Sequence, residues 1–229
     1  MGVNIGNKAL KDAYIGDKPI KKIYLGDKLL WQKYDAEIEY LESTGTQYID
    51  LGRVLDSSID VIDLEVMATQ RKDVTLGVFG ARKDANNKNF STLISSSNNP
   101  ANVYMIYINN GTYTTYRVEA TSMATNKVVK LHLEKSLKEI YIDNTLDVSS
   151  SLVSPNFNTE TTATIFSING SGFEKVSARL YSLRWKQGST LIMDLIPVRV
   201  GQVGYMYDKV SGQLFGNSGT GNFILGNDI

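Results

Sequence analysis

DLIPVRVGQVGYMYDKVSGQLFGNSGTGNFILG, residues 194–226, holds seven glycines among short apolar runs, with Pro197 just after Leu195-Ile196. Glycine accepts positive φ without steric penalty, so each one permits a tight reversal or a close backbone approach. Tyr205-Met206-Tyr207, Gln213-Leu214-Phe215 and Asn222-Phe223-Ile224-Leu225 are strand-sized pieces between them. That many reversals in so short a segment require the intervening runs to pair in a sheet. The stretch therefore reads as the closing element of an antiparallel β domain.

The rest of the chain agrees in period. Ile62, Leu64 and Val66 alternate with Val61, Asp63 and Glu65, as in a half-buried strand. Val129, Leu131 and Leu133 alternate with Val128, Lys130 and His132. Tyr40 to Gly52 reads as strand, turn, strand, and Leu137 to Ile142 is a strand that ends in the turn Asp143-Asn144. Further strands are expected over 162–169, 176–185 and 191–196. Val103 to Glu119 reads as a hairpin about Asn110-Gly111, the favoured type I′ dipeptide. A two-residue loop there pairs Asn109 with Thr112, Tyr107 with Thr114 and Met105 with Tyr116. Only Ser136 to Ile140 has any helical character, and it is too short to matter. Short strands at turn spacings of about 8–12 residues make a sandwich.

Residues 1–33 differ from the remainder. Ile5-Gly6-Asn7-Lys8, Ile15-Gly16-Asp17-Lys18 and Leu25-Gly26-Asp27-Lys28 repeat with a period of ten. Gly-Asn and Gly-Asp between β-prone runs signal two-residue hairpins, here joined into a small meander. The segment carries 7 Lys against 3 Asp, whereas the whole chain balances 24 basic and 24 acidic residues. Its surplus of positive charge is thus offset by an acidic remainder. So few residues bury no core of their own. Residues 1–33 therefore read as a hairpin repeat module for attachment or oligomerisation, and residues 34–229 as the sandwich.

Composition excludes several classes. With 0 Cys there is no disulfide scaffold or thiolate metal site. Neutral net charge argues against nucleic acid as a partner. No apolar run approaches the roughly 20 residues of a membrane span, and the first residues lack a secretory h-region.

Particular blocks carry a family resemblance: YLESTGTQYIDLG (40–52), LEV (64–66), LGVFGAR (76–82), VKLHLEKSLKEIYIDN (129–144) and the run from Ala178 to Gly221. They resemble the concanavalin A-like, laminin-G-like jelly-roll domains of tail and receptor-binding proteins in bacteriophages and prophages of gut bacteria. IKKIYLGDKLLW, residues 20–31, is similar to a short module near the start of phage minor structural proteins. The resemblance implies an all-β jelly roll of two antiparallel sheets. It also implies a virion tail location, with other tail proteins and a bacterial surface polysaccharide as partners, and a homo-oligomer of trimeric kind. A host-encoded relative would instead act as an adhesin at the cell surface.

Catalytic patterns fail residue by residue. The glycoside hydrolases of this fold align carboxylates on one strand face as Glu-x-Asp-x-Glu. Here Val61 occupies the first position before Asp63 and Glu65, and Asp60 falls on the opposite face. Asp63 and Glu65 read as the solvated side of a strand. His132 is the only histidine, no G-x-S-x-G elbow accompanies it, and it reads as a partly exposed strand residue. The glycines of 212–221 lack the Gly-Lys-Ser/Thr ending of a phosphate loop. No cofactor is expected. Calcium alone among metals stays open, since Asp84, Asn86, Asp143 and Asn144 sit in loops, although without EF-hand spacing.

What remains is non-catalytic binding. Sugars present apolar C–H faces that stack on aromatic rings, while amides and guanidinium groups bond their hydroxyls. Tyr107, Asn109, Thr114 and Tyr116 on one hairpin face, with Arg82 and Asn87 at its rim, are the candidate carbohydrate contacts. Trp185 follows Leu183 in the alternation and reads as core.

Overall fold

The computed structural model describes residues 4–5, 8–9, 13–16, 18–20, 22–58, 61–70, 76–83, 89–95, 103–109, 115–123, 125–168 and 175–229. Six short strands come first: β1 (Asn4–Ile5), β2 (Lys8–Ala9), β3 (Tyr14–Ile15), β4 (Lys18–Pro19), β5 (Lys22–Leu25) and β6 (Lys28–Gln32). A connecting stretch holds β7 (Ala36–Glu37). Then come β8 (Leu41–Thr44), β9 (Ile49–Asp56), β10 (Val61–Ala68), β11 (Leu76–Arg82), β12 (Asn89–Ser95), β13 (Val103–Asn109) and β14 (Thr115–Met123). The second half supplies β15 (Val129–Glu134), β16 (Lys138–Ile142), β17 (Thr145–Ser150), β18 (Asn158–Ile165) and β19 (Ser177–Gln187). The chain closes with β20 (Thr190–Val200), β21 (Val203–Asp208), β22 (Leu214–Phe215) and β23 (Ile224–Leu225). Among the described residues there is no helix.

Two antiparallel sheets face each other in a jelly-roll sandwich. One has eleven strands, running β17-β16-β15-β10-β19-β20-β21-β22 with β7, β8 and β23 paired beside that path. The other has six, in the order β14-β13-β12-β11-β18-β9. Alternation decides which side chains meet between them. Ile62, Leu64 and Val66 of β10 and Val129, Leu131 and Leu133 of β15 are buried, as are Ile106 and Ile108 of β13 and Ile165 of β18. Trp185 belongs to the same core, as its alternation requires. Each fully buried Leu or Ile contributes about 1.5–3 kcal/mol of transfer free energy.

The glycine-rich C-terminal block closes the eleven-stranded sheet. β20 pairs with β19 and then β21, β22 adds to β21, and β23 returns to β8. Its glycines serve a backbone-to-backbone contact with the turn at residues 44–48. Ser218 N donates to Tyr48 O at 2.8 Å, and a Cβ on Gly219 would stand 2.3 Å from Thr46 O. Asp208 holds the preceding turn, accepting from the backbone N–H groups of Asp194 (2.9 Å), Val210 (3.1 Å) and Ser211 (3.2 Å).

Two expectations change. The N-terminal repeat is not a continuous meander among the described residues. β1-β2, β3-β4 and β5-β6 are three separate two-stranded hairpins. Its root is fixed by Tyr34, which packs with Val198 and Tyr207 on the outer face of β20 and β21. The second change is the register of β13 with β14. Asn109 pairs with Thr115, Tyr107 with Arg117 and Ile108 with Tyr116, so five residues, 110–114, join the strands rather than two. The cause lies in the core. Ile106 sits opposite Val118, and both are buried together with Ile108 and Ala120. The two-residue loop would have turned Val118 and Ala120 away from them.

Candidate functional site

The outer face of the six-stranded sheet gathers part of the expected carbohydrate site. Arg82, Asn89, Asn109 and Thr115 follow one another in register across β11, β12, β13 and β14. The next row is Thr164, Gly80, Ser91, Tyr107 and Arg117. Between these rows Ala81, Phe90 and Ile108 point into the core. The positions of Arg82, Tyr107 and Asn109 therefore share the outward face. Tyr116 stands in register with Ile108 and takes the core-facing row, which separates it from Tyr107. Asn87 and Thr114 lie outside the described residues.

Small polar groups floor this face. Ser91 and Asn89 are buried although they point away from the core, and Ser91 Oγ donates to Asn89 Oδ1. Thr164 Oγ1 donates to Ser167 O at 2.8 Å. Gly80 lies between Thr164 and Ser91 with φ +149°, and a Cβ there would stand 2.2 Å from Phe90 O. Toward the other end Ile168 packs on Leu93 and fills the space above Gly77. The polar row is thus bounded by an apolar cover on one side and by Arg82 on the other.

The opposite face of the sandwich holds Asp63 and Glu65, expected as the solvated side of a strand, and His132, expected as a partly exposed strand residue. Glu139, His132, Asp63, Arg184 and Asp194 stand in direct register across β16, β15, β10, β19 and β20. His132 Nδ1 lies 2.6 Å from Asp63 Oδ1, and Nε2 lies 3.2 Å from Glu134 Oε1. Arg184 Nε donates to Asp194 Oδ1 at 3.3 Å, and Lys209 Nζ approaches Asp194 Oδ2 at 3.0 Å. Lys130 Nζ is 3.5 Å from Glu65 Oε1 in the adjoining row. Asp63, Glu65, Lys130, His132, Arg184, Asp194 and Lys209 line a recess of about 620 Å³ that also includes Tyr141, Asn144, Ser182 and Ile196. Partial burial pulls the His132 imidazole down, but the hydrogen bonds and charges of Asp63 and Glu134 outweigh it, and its pKa is raised. The signal available in the sequence was the run of polar residues at alternate positions. The pairing of Asp63 with His132, 69 residues away, was not visible in it.

The described loops do not suit calcium. Asp143 Oδ1 accepts from Val128 N at 3.1 Å, and Lys127 Nζ stands 3.6 Å from its second oxygen, so a cation already occupies that side. Asp84 and Asn86 lie outside the described residues. Among the described residues no group of three or more His, Asp or Glu is arranged to hold a metal ion.

No family model matches the chain, and no curated protein matches it. Solved structures are similar to it. A candidate carbohydrate binding protein from Bacteroides ovatus aligns with a TM-score of 0.54 at 12% identity, over 86% of this chain and 61% of that one. This chain therefore spans less than two thirds of that protein. The CBM40 of the Ruminococcus gnavus IT-sialidase aligns with a TM-score of 0.46 at 9% identity, over 67% of this chain and 90% of that one. A SAP-like pentraxin from Limulus polyphemus aligns with a TM-score of 0.43 at 12% identity, over 66% and 76%.

Proposed function

We propose that the sandwich is a non-catalytic carbohydrate-binding module of a phage or prophage tail-associated structural protein, and that its ligand is a bacterial surface polysaccharide. The observation that carries this reading is the row Arg82, Asn89, Asn109 in register on the outer face of the six-stranded sheet, one row from the Tyr107 position. Amides and a guanidinium group offer donors and acceptors in fixed directions to pairs of sugar hydroxyls. The neighbouring position on this face is a tyrosine, a residue whose ring offers an apolar surface to the C–H face of a sugar. The fold likeness to the Bacteroides ovatus protein points the same way.

Residues 1–33 serve, in this reading, to attach the sandwich to other tail proteins or to join copies of the chain, as a trimer or another homo-oligomer. Tyr14, Ile15, Tyr24 and Leu25 are exposed on the hairpins at equivalent places in the ten-residue repeat, which supports a contact role.

A polysaccharide array of bacterial capsules and cell walls, probed with the chain and with Tyr107→Ala and Asn109→Ala, tests the proposal. Binding that the substitutions abolish, with virion incorporation intact, is the expected result. Incorporation without any binding identifies a purely structural particle protein. Binding by a protein absent from virions identifies a cell-surface adhesin.

A further inference from the structure

The recess on the outer face of the eleven-stranded sheet is a second polar surface, on the side of the sandwich opposite the Arg82–Asn89–Asn109 row. Its fixed charges are not evenly arranged. At the β20–β21 end the carboxylate of Asp194, a residue only 8% exposed, is shared by Arg184 and Lys209. Two cations thus share one carboxylate, and neither has that partner to itself. A guanidinium group has five N–H donors and an ammonium has three, and the contact with Asp194 uses Nε of Arg184 and one direction of Lys209. The Arg184 side chain is 57% exposed, so the rest of its fork is open to solvent.

At the β15–β16 end the sense reverses. His132 stands between Asp63 and Glu134, with Glu139 next in register, and Tyr141 Oη donates to Glu139 Oε2 at 2.8 Å. Two carboxylates hold one imidazole there and a third acid, Glu139, stands at the next register position, so acceptors prevail. From β16 to β20 the row crosses four inter-strand gaps, roughly 19 Å at ordinary sheet spacing. An irregularity between β10 and β19 pairs Glu65 with Ser182 and Val66 with Leu180, which leaves Tyr181 as an extra residue beside the recess. Tyr181 meets Tyr40 edge-on, with ring centroids 5.9 Å apart. The recess thus has a donor-rich positive end, an acceptor-rich negative end and an aromatic pair along its border.

We infer that this recess is a second binding site, and that its ligand is an acidic oligosaccharide whose sugar carboxylate sits against Arg184 and Lys209. The hydroxyls of the following sugars donate to Asp63 and Glu65, while Tyr181 borders the chain. An acidic peptide could satisfy the positive end but supplies too few hydroxyl donors for the other, which favours the sugar. The site uses none of the residues of the six-stranded face, so it stands or falls independently of the function proposed above.

The test is titration of the full chain with trigalacturonate, with neutral galactotriose and with triaspartate, followed by amide chemical shifts. Trigalacturonate is expected to move the amides of Asp63, His132, Ser182 and Arg184. Arg184→Gln and Lys209→Gln are each expected to weaken it about tenfold, the loss typical of a charged hydrogen bond, with the amide spectrum of the unliganded chain still that of the folded protein. Shifts confined to Arg82, Asn89 and Ser91 would speak for the first face and overturn the second site. Equal binding of galactotriose, equal binding of triaspartate, or trigalacturonate binding that Arg184→Gln leaves intact would also overturn it.

Discussion

His132 of β15 and Asp63 of β10 stand opposite each other in register, with Nδ1 and Oδ1 2.6 Å apart. Glu134 contacts the other ring nitrogen at 3.2 Å, Lys130 pairs with Glu65 in the next row, and Glu139 stands opposite His132 in register on β16. The imidazolium is therefore stabilised in the folded state and its pKa lies above the ordinary 6.5.

That relation fixes a sign. A histidine whose folded pKa is raised contributes stability that is full below its unfolded value and is lost as pH rises through its folded value. The melting temperature should therefore fall as pH rises from about 6.5 into the mildly alkaline range. His132→Gln should remove that slope. Calorimetry across the range checks it, and an equal slope in the variant contradicts the assignment.

Lys138 predicts the opposite trend at higher pH. It is buried, Nζ donates to Lys135 O and Leu152 O at 2.6 Å each, and desolvation lowers its pKa to about 8 from 10.5. Between those values the unfolded chain retains a proton that the folded protein has released, so this group makes stability rise with pH. Lys138→Met lacks the titration. In urea unfolding, the stability of the wild type relative to the variant should therefore increase across that interval. Parallel curves would refute the idea.

The period of the chain was readable because it is local. Asp63 and Glu65 face away from the core beside buried Ile62 and Leu64, as alternation demands. Register between strands is not local. Asn110-Gly111 is a strong hairpin signal, yet Tyr and Thr occupy both faces of that hairpin, so its own sequence specifies the pairing weakly. The partner sheet decides it, by drawing Val118 and Ala120 in with Ile106 and Ile108. A slip of three positions then carried Tyr116 to the other face from Tyr107. The charged row on the eleven-stranded sheet is not legible in the sequence for the same reason, because it joins β10, β15, β16, β19 and β20, which are scattered along the chain.

Gly80 should tolerate no side chain. Its φ of +149° disfavours an L-residue, and a Cβ would meet Phe90 O at 2.2 Å and Ser91 Cα at 2.8 Å. Gly80→Ala should cost on the order of 3 kcal/mol, measured by chemical denaturation. A loss below about 0.5 kcal/mol, the ordinary scatter of surface substitutions, would contradict the close approach.

Removing residues 222–229 should unfold the sandwich or leave it prone to association. Phe223 packs on Phe166 at 5.7 Å between centroids, β23 covers the edge of β8, and Arg199 holds Asp228 through two bonds of 2.7 and 2.6 Å. Truncation exposes that apolar surface and an unpaired strand edge. Size-exclusion chromatography of the shortened chain should show loss of the wild-type species. An unchanged elution and melting temperature would contradict the closing role of this segment.

Amide shift mapping with a polysaccharide fragment selected on the array tests whether the outer face of the six-stranded sheet binds a glycan, as proposed. The account predicts shifts concentrated at Arg82, Asn89, Ser91, Tyr107 and Asn109 and abolished by Tyr107→Ala. Binding that leaves those amides unmoved, or an array of bacterial surface polysaccharides with no binder, would contradict it.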